Sequence, residues 1–352
     1  METEIKGRES AHEAKLRYVQ DDIPGITRVK QGKQFIYKDA SGKIIRDKAL
    51  NLRINNLAFP PAYKNVWICP YANGHLQATG IDDRGRKQYR YHEKWREIRD
   101  ETKYDKMLDF GKALPKIRKQ IKKDLKLEGL SKEKVVAAVI VLLEKTLIRV
   151  GNEEYAKENK SYGLTTFHNK HVEIHGANIH FEFKGKSGVC HSIDLNDKRL
   201  AKIIKNCRDL PGHELFEYLD SWGTRYSVHS GDVNEYLHRV TGKEFTAKDF
   251  RTWYGTVLAA EALKGFKEFD SEAEAKKNII TAVESVAKSL GNTKAVCRKC
   301  YIHPAVINSY MDKTLVKNLQ GHVGVMLKAS LHSLSSEETA VMIFLRNHLK
   351  NK

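Results

Sequence analysis

Residues 131–151 read "SKEKVVAAVIVLLEKTLIRVG" and carry a long apolar segment. Its middle, Val135 to Leu143, is apolar on every side, which is typical of a helix buried at the centre of a domain. Ser131 is a favourable N-cap, and Gly151 is a favourable end. The sequence therefore predicts a central helix that ends at Gly151. Arg149 then lies at its end, where a charge is unexpected unless it is paired or functional.

The chain before this helix is β-rich. Residues 25–45 and 66–92 alternate apolar and polar side chains, which is typical of strands with one buried face. Glycine-containing turn signals interrupt both stretches, at Gly32, Ser41-Gly42, Asn73-Gly74 and Arg84-Gly85. The pattern predicts hairpins of a small antiparallel sheet, with helices starting from about residue 101.

A short β excursion follows the central helix. The segments "GLTTF" (163–167), "HVEIH" (171–175) and "IHFEFKGKSGVCHSI" (179–193) predict strands, and "KGKSG" is expected to be a turn with Lys186 at its tip. Helices then resume. Three capping-box patterns mark their starts, at Thr246 with Asp249, Ser271 with Glu274 and Ser335 with Glu338.

The charge of the chain indicates a polyanionic partner. The net charge is +18 and the pI is about 9.5. Lysines and arginines are spread along the whole chain, which favours a long duplex over a membrane surface. The alternative is a basic protein without such a partner. No apolar run is long enough to span a bilayer, and the polar start "METEIKGRES" is not a secretory signal, so we expect the protein to stay inside the cell.

Neither a metal nor a nucleotide cofactor is expected. The five cysteines include a single C-x-x-C pair, Cys297 and Cys300, whereas a structural zinc site needs four ligands. We therefore expect Cys297 and Cys300 to be two small residues on a packed turn, with a metal or redox role as the alternative. Gly185, Lys186 and Ser187 resemble the end of a phosphate-binding loop, but His180 stands where its first glycine is required.

Cations and a tyrosine together suit phosphodiester chemistry. In the absence of a metal, fixed cations must stabilise the negative charge on the phosphoryl oxygens. The planar guanidinium of arginine can bind two of these oxygens at once. A tyrosine hydroxyl, which ionises near pH ~10, is helped by neighbouring cations, and a lysine can protonate the leaving oxygen. Arg149, Lys186, Arg251 and Tyr301 could supply these parts. Each of these residues has an alternative interpretation. Arg149 could interact only with the dipole of its helix, Lys186 could be a solvated lysine of a hairpin, and Arg251 could be a surface charge. Tyr301 could be an aromatic side chain packed in the core.

Three long segments carry a family resemblance. "AYKNVWICPYANGHLQATGIDDRGRKQYRYHEKW" (62–95), "IRVGNEEYAKENKSYGLTTFHNKHV" (148–172) and "LGNTKAVCRKCYIHPAV" (290–306) resemble the short type IB DNA topoisomerases of poxviruses and bacteria. The resemblance implies an α+β chain: a β-rich N-terminal DNA-clamp domain over 1–100, and a larger, mainly helical, tyrosine-recombinase-like catalytic domain over 101–352 with a short β-sheet insertion. It implies relaxation of supercoiled duplex DNA through a 3′-phosphotyrosyl intermediate, without ATP or metal.

The resemblance also implies roles for single residues. Tyr301 matches the nucleophile, Arg149 and Arg251 match the two catalytic arginines, and Lys186 matches the hairpin lysine, with Lys184 as its nearest rival. Asn292 falls where the poxvirus branch has a phosphate-binding histidine. Expected DNA contacts are Arg86, Lys87, Gln88, Tyr89, Tyr91, Tyr155 and Lys248.

The same resemblance implies a monomer that clamps the duplex, in a bacterial cytoplasm and nucleoid or in a viral factory or virion. For the segment around Tyr89, an exposed edge strand protected by charge is the alternative. Two other functions remain open. A tyrosine recombinase shares the helical core, but its second box reads H-x-x-R, whereas Lys248 stands three residues before Arg251. A non-catalytic DNA-binding protein would use charge alone.

Overall fold

A computed structural model of the chain describes residues 2–32, 34–83, 85–266, 269–320 and 334–350. The chain divides into two compact units, Met1–Asp105 and Lys106–Lys352. The division lies within one long helix, Glu93–Asp124, which begins earlier than the expected residue 101. Within the described ranges, every helix is too short or too polar to cross a membrane.

The first unit is built on an antiparallel sheet of five strands in the order β2-β1-β3-β4-β5. Its elements are α1 (Glu2–Glu13), β1 (Ile26–Gln31), β2 (Gln34–Lys38), α2 (Lys48–Asn56), β3 (Lys64–Ile68), β4 (Leu76–Ile81), β5 (Lys87–Tyr91) and the start of α3 (Glu93–Asp124). The predicted small antiparallel sheet is confirmed. Of the predicted turns, the one at Arg84-Gly85 falls partly outside the described residues, because Arg84 is not among them.

The helices α1 and α2 were not predicted. The start of α2 is fixed by Asp47, whose Oδ1 accepts a hydrogen bond from the backbone N–H of Leu50 at 2.7 Å. In α2 only Ile54 is fully buried, where it packs with the sheet residues Ile26, Val66 and Ile68. Leu50 and Leu57 pack against the same cluster, so the apolar residues of this segment do follow a helical spacing, which the sequence analysis missed.

The second unit is mainly helical and contains a three-stranded sheet, β6-β7-β8, and a small hairpin, β9-β10. Its elements after α3 are α4 (Lys132–Thr146), α5 (Glu153–Asn159), β6 (Val172–His175), β7 (Asn178–Lys184), β8 (Cys190–Asn196), α6 (Lys198–Arg208), β9 (Glu217–Leu219), β10 (Arg225–Ser227), α7 (Ser230–Thr241), α8 (Ala247–Lys264), α9 (Glu272–Leu290), α10 (Lys294–Cys300), α11 (Pro304–Met311), α12 (Leu315–Gln320) and α13 (Ser336–Lys350). Together the two units form the expected α+β fold.

The central helix is α4. Every residue from 135 to 140 is at most 1% exposed, and α4 packs against α6, α7, α8 and β9. Ser131 caps its start, as predicted, by accepting a hydrogen bond from the backbone N–H of Lys134 at 3.4 Å. The predicted end at Gly151 is wrong. The helix stops at Thr146, because Leu147 takes the left-handed conformation at φ 56°. Arg149 therefore lies in the loop that follows the helix.

The predicted strands of the β excursion are confirmed for β6, β7 and β8, where Ile179, Phe181 and Phe183 alternate inward. The predicted strand over 163–167 is wrong, since Leu164–Thr166 is one turn of 3-10 helix. The hydroxyl of Thr166 accepts from the backbone N–H of Gly163 at 2.9 Å. Such a local bond between side chain and backbone competes with strand pairing.

The predicted helix starts in the second unit are confirmed at all three positions. Ser335 and Glu338 exchange reciprocal bonds of 3.2 and 2.8 Å at the start of α13. The carboxylate of Asp249 accepts from the backbone N–H of Thr246 at 2.7 Å. Ser271 accepts from the backbone N–H of Glu274 at 3.2 Å. These caps fix where α8, α9 and α13 begin.

One buried ion network holds the helices of this core together. Arg118 of α3 bonds to Glu144 of α4 at 2.6 Å, to Glu338 of α13 at 2.7 Å and to the hydroxyl of Tyr254 of α8 at 2.7 Å. Removing Arg118 would leave the carboxylates of Glu144 and Glu338 without their cation, which is destabilising. The network thus fixes α4 and α8, the two helices that position the cations described next.

Candidate active site

Arg251 projects from the second turn of α8 and is only 4% exposed. Its Nη2 donates to the carbonyl of Leu290 at 2.6 Å, and its Nη1 donates to the carbonyl of Leu147. These carbonyls lie at the C-terminal ends of α9 and α4, which carry unpaired oxygens and partial negative charge. The alternative of a surface arginine is wrong. Its Nε is buried and has no hydrogen-bond partner among the described residues.

Arg149 lies in the loop after α4. Its Nη2 donates to the carbonyl of Gly291 at 3.1 Å and to Oδ1 of Asn292. Burial and the nearby charge of Arg251 lower the pKa of Arg149 to about 10, so its guanidinium is still charged at neutral pH. Two like charges are tolerated side by side because each binds carbonyl oxygens at the end of α9.

Asn292 follows Gly291, which ends α9 in the left-handed conformation at φ 56°. With Oδ1 bound to Arg149, its amide group is oriented, and Nδ2 is buried with no hydrogen-bond partner among the described residues. A buried donor without a partner costs about 1–3 kcal/mol. An anionic oxygen in this position would satisfy it.

Tyr301 is the residue that ends α10, and its side chain is half-buried. The guanidinium carbon of Arg251 is 5.3 Å from the centre of its ring. The backbone of Tyr301 is held by α8, because the hydroxyl of Thr256 donates to its carbonyl at 3.1 Å. Gly255 makes this approach possible, since a Cβ there would lie 2.8 Å from the same oxygen. Helix α8 therefore positions both the cation and the phenol.

Gly255 and Thr256 were not predicted as part of the site. A glycine within an otherwise strong helical pattern was the available signal, because such a glycine is commonly kept for a close approach.

Lys186 lies in the turn Lys186–Gly188 between β7 and β8, and its side chain is exposed. It lines a small cavity of about 20 Å³ together with Arg149, Arg251 and His191. Lys184, its rival, directs its Cε toward Gly188, at 3.3 Å from where a Cβ would lie. The contribution of His191 was not predicted, because a lone histidine on a strand carries no pattern.

The predicted catalytic residues of the second unit thus converge. Arg149, Lys186 and Arg251 line one cavity, Asn292 is bonded to Arg149, and Tyr301 lies beside Arg251. Fixed guanidinium and ammonium groups beside a phenol can hold the oxygens of a phosphodiester at a nucleophile.

The first unit presents an aromatic and basic strand at the edge of its sheet. Tyr89 and Tyr91 of β5 are 47% and 37% exposed, and their rings stack at 6.0 Å. Lys87 lies on the same face, with Nζ 5.7 Å from the centre of the Tyr89 ring. It also bonds to the carboxylate of Asp21 at 2.6 Å.

Gln88 and Arg86 are held by another carboxylate. Gln88 donates to Asp82 at 2.9 Å, and Arg86 contacts Asp82 at 2.8 Å. Because side chains alternate along a strand, Gln88 faces away from Tyr89 and Tyr91. The predicted contacts in this segment therefore occupy two faces of β5.

The remaining predicted contacts are exposed side chains on helices of the second unit. Tyr155 lies on α5 and is 42% exposed, and Lys248 lies in the first turn of α8. Neither residue lines the cavity at Arg149.

The cysteine pair lies in a helix and not on a turn, which corrects the expectation. Cys297 is buried and Cys300 partly buried in α10. Burial raises the pKa of Cys297 to about 11, so its thiol stays protonated near neutral pH. Among the described residues, no cluster of three or more histidine, cysteine or acidic side chains could hold a metal ion.

Comparison with known proteins identifies the family. The model of the eukaryotic DNA topoisomerase I catalytic core matches residues 92–322, and that of the bacterial DNA topoisomerase IB N-terminal domain matches residues 34–82. A DNA topoisomerase 1B of Acanthamoeba polyphaga mimivirus is 34% identical over 298 residues, covering 82% of this chain and 88% of the relative. The DNA topoisomerase 1B of Vaccinia virus (strain Copenhagen) is 24% identical over 257 residues, covering 72% and 78%.

Together the two matches extend over both compact units of the chain. The chain belongs to the type IB DNA topoisomerase family and is an isomerase of that class.

Proposed function

We propose that this chain relaxes supercoiled duplex DNA by cutting one strand and resealing it, with Tyr301 as the nucleophile and without ATP or metal. The observation that carries the proposal is the position of Tyr301 beside Arg251, whose guanidinium is held by the ends of two helices. A cation fixed in this way needs no reorganisation when charge develops on a phosphate.

In the cleavage step, the phenol oxygen of Tyr301 forms a bond to the phosphorus, and the bond between phosphorus and the 5′ oxygen breaks. The phenolic proton leaves to solvent. Lys186 gives a proton to the departing 5′ oxygen, which becomes a hydroxyl. The 3′ phosphate is then joined to the protein.

The two arginines and Asn292 hold the phosphoryl oxygens. Arg251 and Arg149 supply charge, and the unpartnered Nε of Arg251 and Nδ2 of Asn292 supply hydrogen bonds. Because these groups are buried, their interaction with a developing negative charge is stronger than it would be in water. Asn292 carries no charge, so its share is smaller than that of either arginine.

Resealing is the reverse reaction. The 5′ hydroxyl attacks the phosphotyrosine, and the phenol leaves. One phosphoester replaces another in each direction, so no external energy source is required. The free end swivels between the two steps, so supercoils of both signs are removed.

DNA binding involves both units. In the first unit, Lys87, Tyr89 and Tyr91 present a charged aromatic face that suits a groove and its phosphates. In the second unit, Tyr155 and Lys248 add exposed contacts. The chain acts as a monomer. It works where its duplex substrate is found, in a nucleoid or in a viral factory.

The test is relaxation of a supercoiled circle that lacks recombination sites, in EDTA and without ATP. The expected result is a ladder of relaxed circles and a protein–DNA adduct after denaturation. Tyr301→Phe should give neither product and should still bind DNA, while the exposed tyrosine control Tyr226→Phe should behave like the wild type. Relaxation accompanied by strand exchange between circles would indicate a recombinase, and binding without any adduct would indicate a non-catalytic protein.

A further inference from the structure

His191 lies in the wall of the cavity although no step proposed above uses it. It sits on β8 opposite Phe183 of β7, and the two rings stack with their centres 5.0 Å apart and their planes at 18°. It lines the cavity together with Arg149, Lys186 and Arg251. The stack on Phe183, which is 7% exposed, fixes the plane of the imidazole.

Two glycines contact the imidazole ring from different segments. A Cβ on Gly185 would lie 2.7 Å from Cδ2 and Nε2 of His191, and a Cβ on Gly291 would lie 2.4 Å from its Cε1. Real Cβ atoms do not approach this closely. The ring therefore occupies space that is open only because both residues lack a side chain.

The positions of these glycines connect the ring to two functional segments. Gly185 immediately precedes Lys186 in the turn between β7 and β8, and Gly291 immediately precedes Asn292 at the end of α9. Arg149 is bonded to both Gly291 and Asn292. The imidazole is thus the spacer between the turn that carries the lysine and the segment that binds Arg149.

A neutral imidazole is compatible with a position between these cationic groups. Burial, together with the charges of Arg149 and Arg251, lowers the pKa of His191. The ring is therefore neutral near pH 7 and adds no further positive charge to a site that already holds two guanidinium groups and an ammonium.

Building on the proposed function, we propose that His191 is a positioning residue for the leaving-group step: its ring sets the place of Lys186 relative to the phosphate held by Arg149 and Asn292. It forms no bond with the DNA and donates no proton. It acts through the turn that begins at Gly185.

The test compares two leaving groups. On an ordinary duplex, the departing 5′ oxygen needs a proton from Lys186. On a duplex whose bridging 5′ oxygen is replaced by sulfur at the cleavage site, the thiolate leaves without one. In single-turnover cleavage, His191→Ala should be slowed about 10- to 100-fold on the oxygen substrate, as a displaced catalytic group is. On the sulfur substrate it should cleave within about threefold of the wild type.

A merely structural role predicts a different result. If His191→Ala slows both substrates equally, or leaves both rates unchanged, the proposal is overturned. His180→Ala is the matched control, because His180 lies on the same sheet and its partner is the exposed Asp194. Its rates should equal those of the wild type on both substrates.

A second variant keeps the test decisive if His191→Ala unfolds. Gly185→Ala places a Cβ against the imidazole ring. The backbone at Gly185 is extended, so alanine is accommodated there, and the variant should reproduce the selective loss on the oxygen substrate.

Lys186→Ala separates this proposal from the proposed function. If sulfur does not restore cleavage by Lys186→Ala, the assignment of the general acid is wrong. If it does, and His191→Ala shows no selective loss, only the role of His191 is wrong.

Discussion

The guanidinium of Arg251 lies beside the ring of Tyr301, with Cζ 5.3 Å from the ring centre, while its two terminal nitrogens bind the carbonyls of Leu147 and Leu290. The ends of α4 and α9 therefore determine where this cation stands. Its place is fixed by the protein, and no DNA is needed to bring it to the phenol.

Arg251→Lys is expected to lose most of the cleavage rate although the charge is kept. A single ammonium cannot bind two carbonyls and still reach a phosphoryl oxygen, whereas the planar fork of arginine can. We expect single-turnover adduct formation to fall about 100- to 1,000-fold. The exposed Arg239, which pairs with Glu133, provides the control Arg239→Lys. A rate for Arg251→Lys within threefold of the wild type would contradict this role.

Asn292 should contribute through its unpartnered amide nitrogen. Asn292→Ala removes one neutral hydrogen bond to the phosphate, and we expect cleavage to slow about tenfold. Asn292→Asp keeps an acceptor for Arg149 but replaces the donor with a negative charge, so it should be slower still. Asn292→His keeps a donor and should exceed both variants. These rates are measured with the same end-labelled duplex, and an Asp variant as fast as the wild type would show that Nδ2 does not meet the phosphate.

The edge strand of the first unit should control the salt dependence of DNA binding. Lys87→Ala should lower the slope of log K against log salt by about 0.9, the value for one phosphate contact. Asp21→Asn should strengthen binding, because the carboxylate of Asp21 holds Lys87 at 2.6 Å in the free protein. Lys43 is exposed beyond β2, at the opposite edge of the sheet, and Lys43→Ala is the control. An unchanged slope in Lys87→Ala would remove this residue from the interface.

His171 should make the fold sensitive to acid. Burial, followed by the charges of His168 and Lys170, lowers the pKa of His171 to about 4, and its Nδ1 accepts from the backbone N–H of His168 at 3.0 Å. In the unfolded chain a histidine titrates near 6.5. Between these values only the unfolded state takes up the proton, so stability falls as the pH falls from about 6.5 to 4, by at most about 3 kcal/mol.

His171→Asn tests this pH dependence, because an amide oxygen can still accept from His168 but does not titrate. Denaturant unfolding at pH 7 and pH 4.5 should show a smaller loss of stability for the variant than for the wild type. His175→Asn, at an exposed side chain, should lose as much as the wild type. Equal losses in all three proteins would show that His171 is not the group responsible.

Much of the fold could be predicted from local patterns. The apolar run of α4, the alternation in β7 and the caps at Ser131, Thr246 and Ser335 are each visible in a few neighbouring residues. The end of α4 could not be predicted in this way. The apolar pattern continues through Leu147 and Ile148, but the carbonyl of Leu147 binds Arg251, which is 104 residues away in the chain. Tertiary contact overrides the pattern there.

The site, like the fold, could be predicted only in part from the sequence. Residue chemistry and the family resemblance supplied the candidate residues Arg149, Lys186, Arg251 and Tyr301, but their convergence depends on contacts between distant segments. His191 and Gly255 were missed because each matters only through what approaches it in space: two glycines around the imidazole, and the backbone of Tyr301 against α8. Neither approach leaves a local sequence pattern.

The most direct test of the central claim is to map the covalent adduct by peptide mass analysis. The adduct is trapped on a duplex whose short fragment with the new 5′ hydroxyl dissociates after cleavage, and the DNA that stays bound is then trimmed to a short nucleotide remnant. Tryptic digestion should yield the peptide of residues 300–313, which contains both Tyr301 and Tyr310, so fragment ions must separate the two. We expect the nucleotide on Tyr301. A nucleotide on Tyr310 or on any other residue, or no adduct at all, would contradict it.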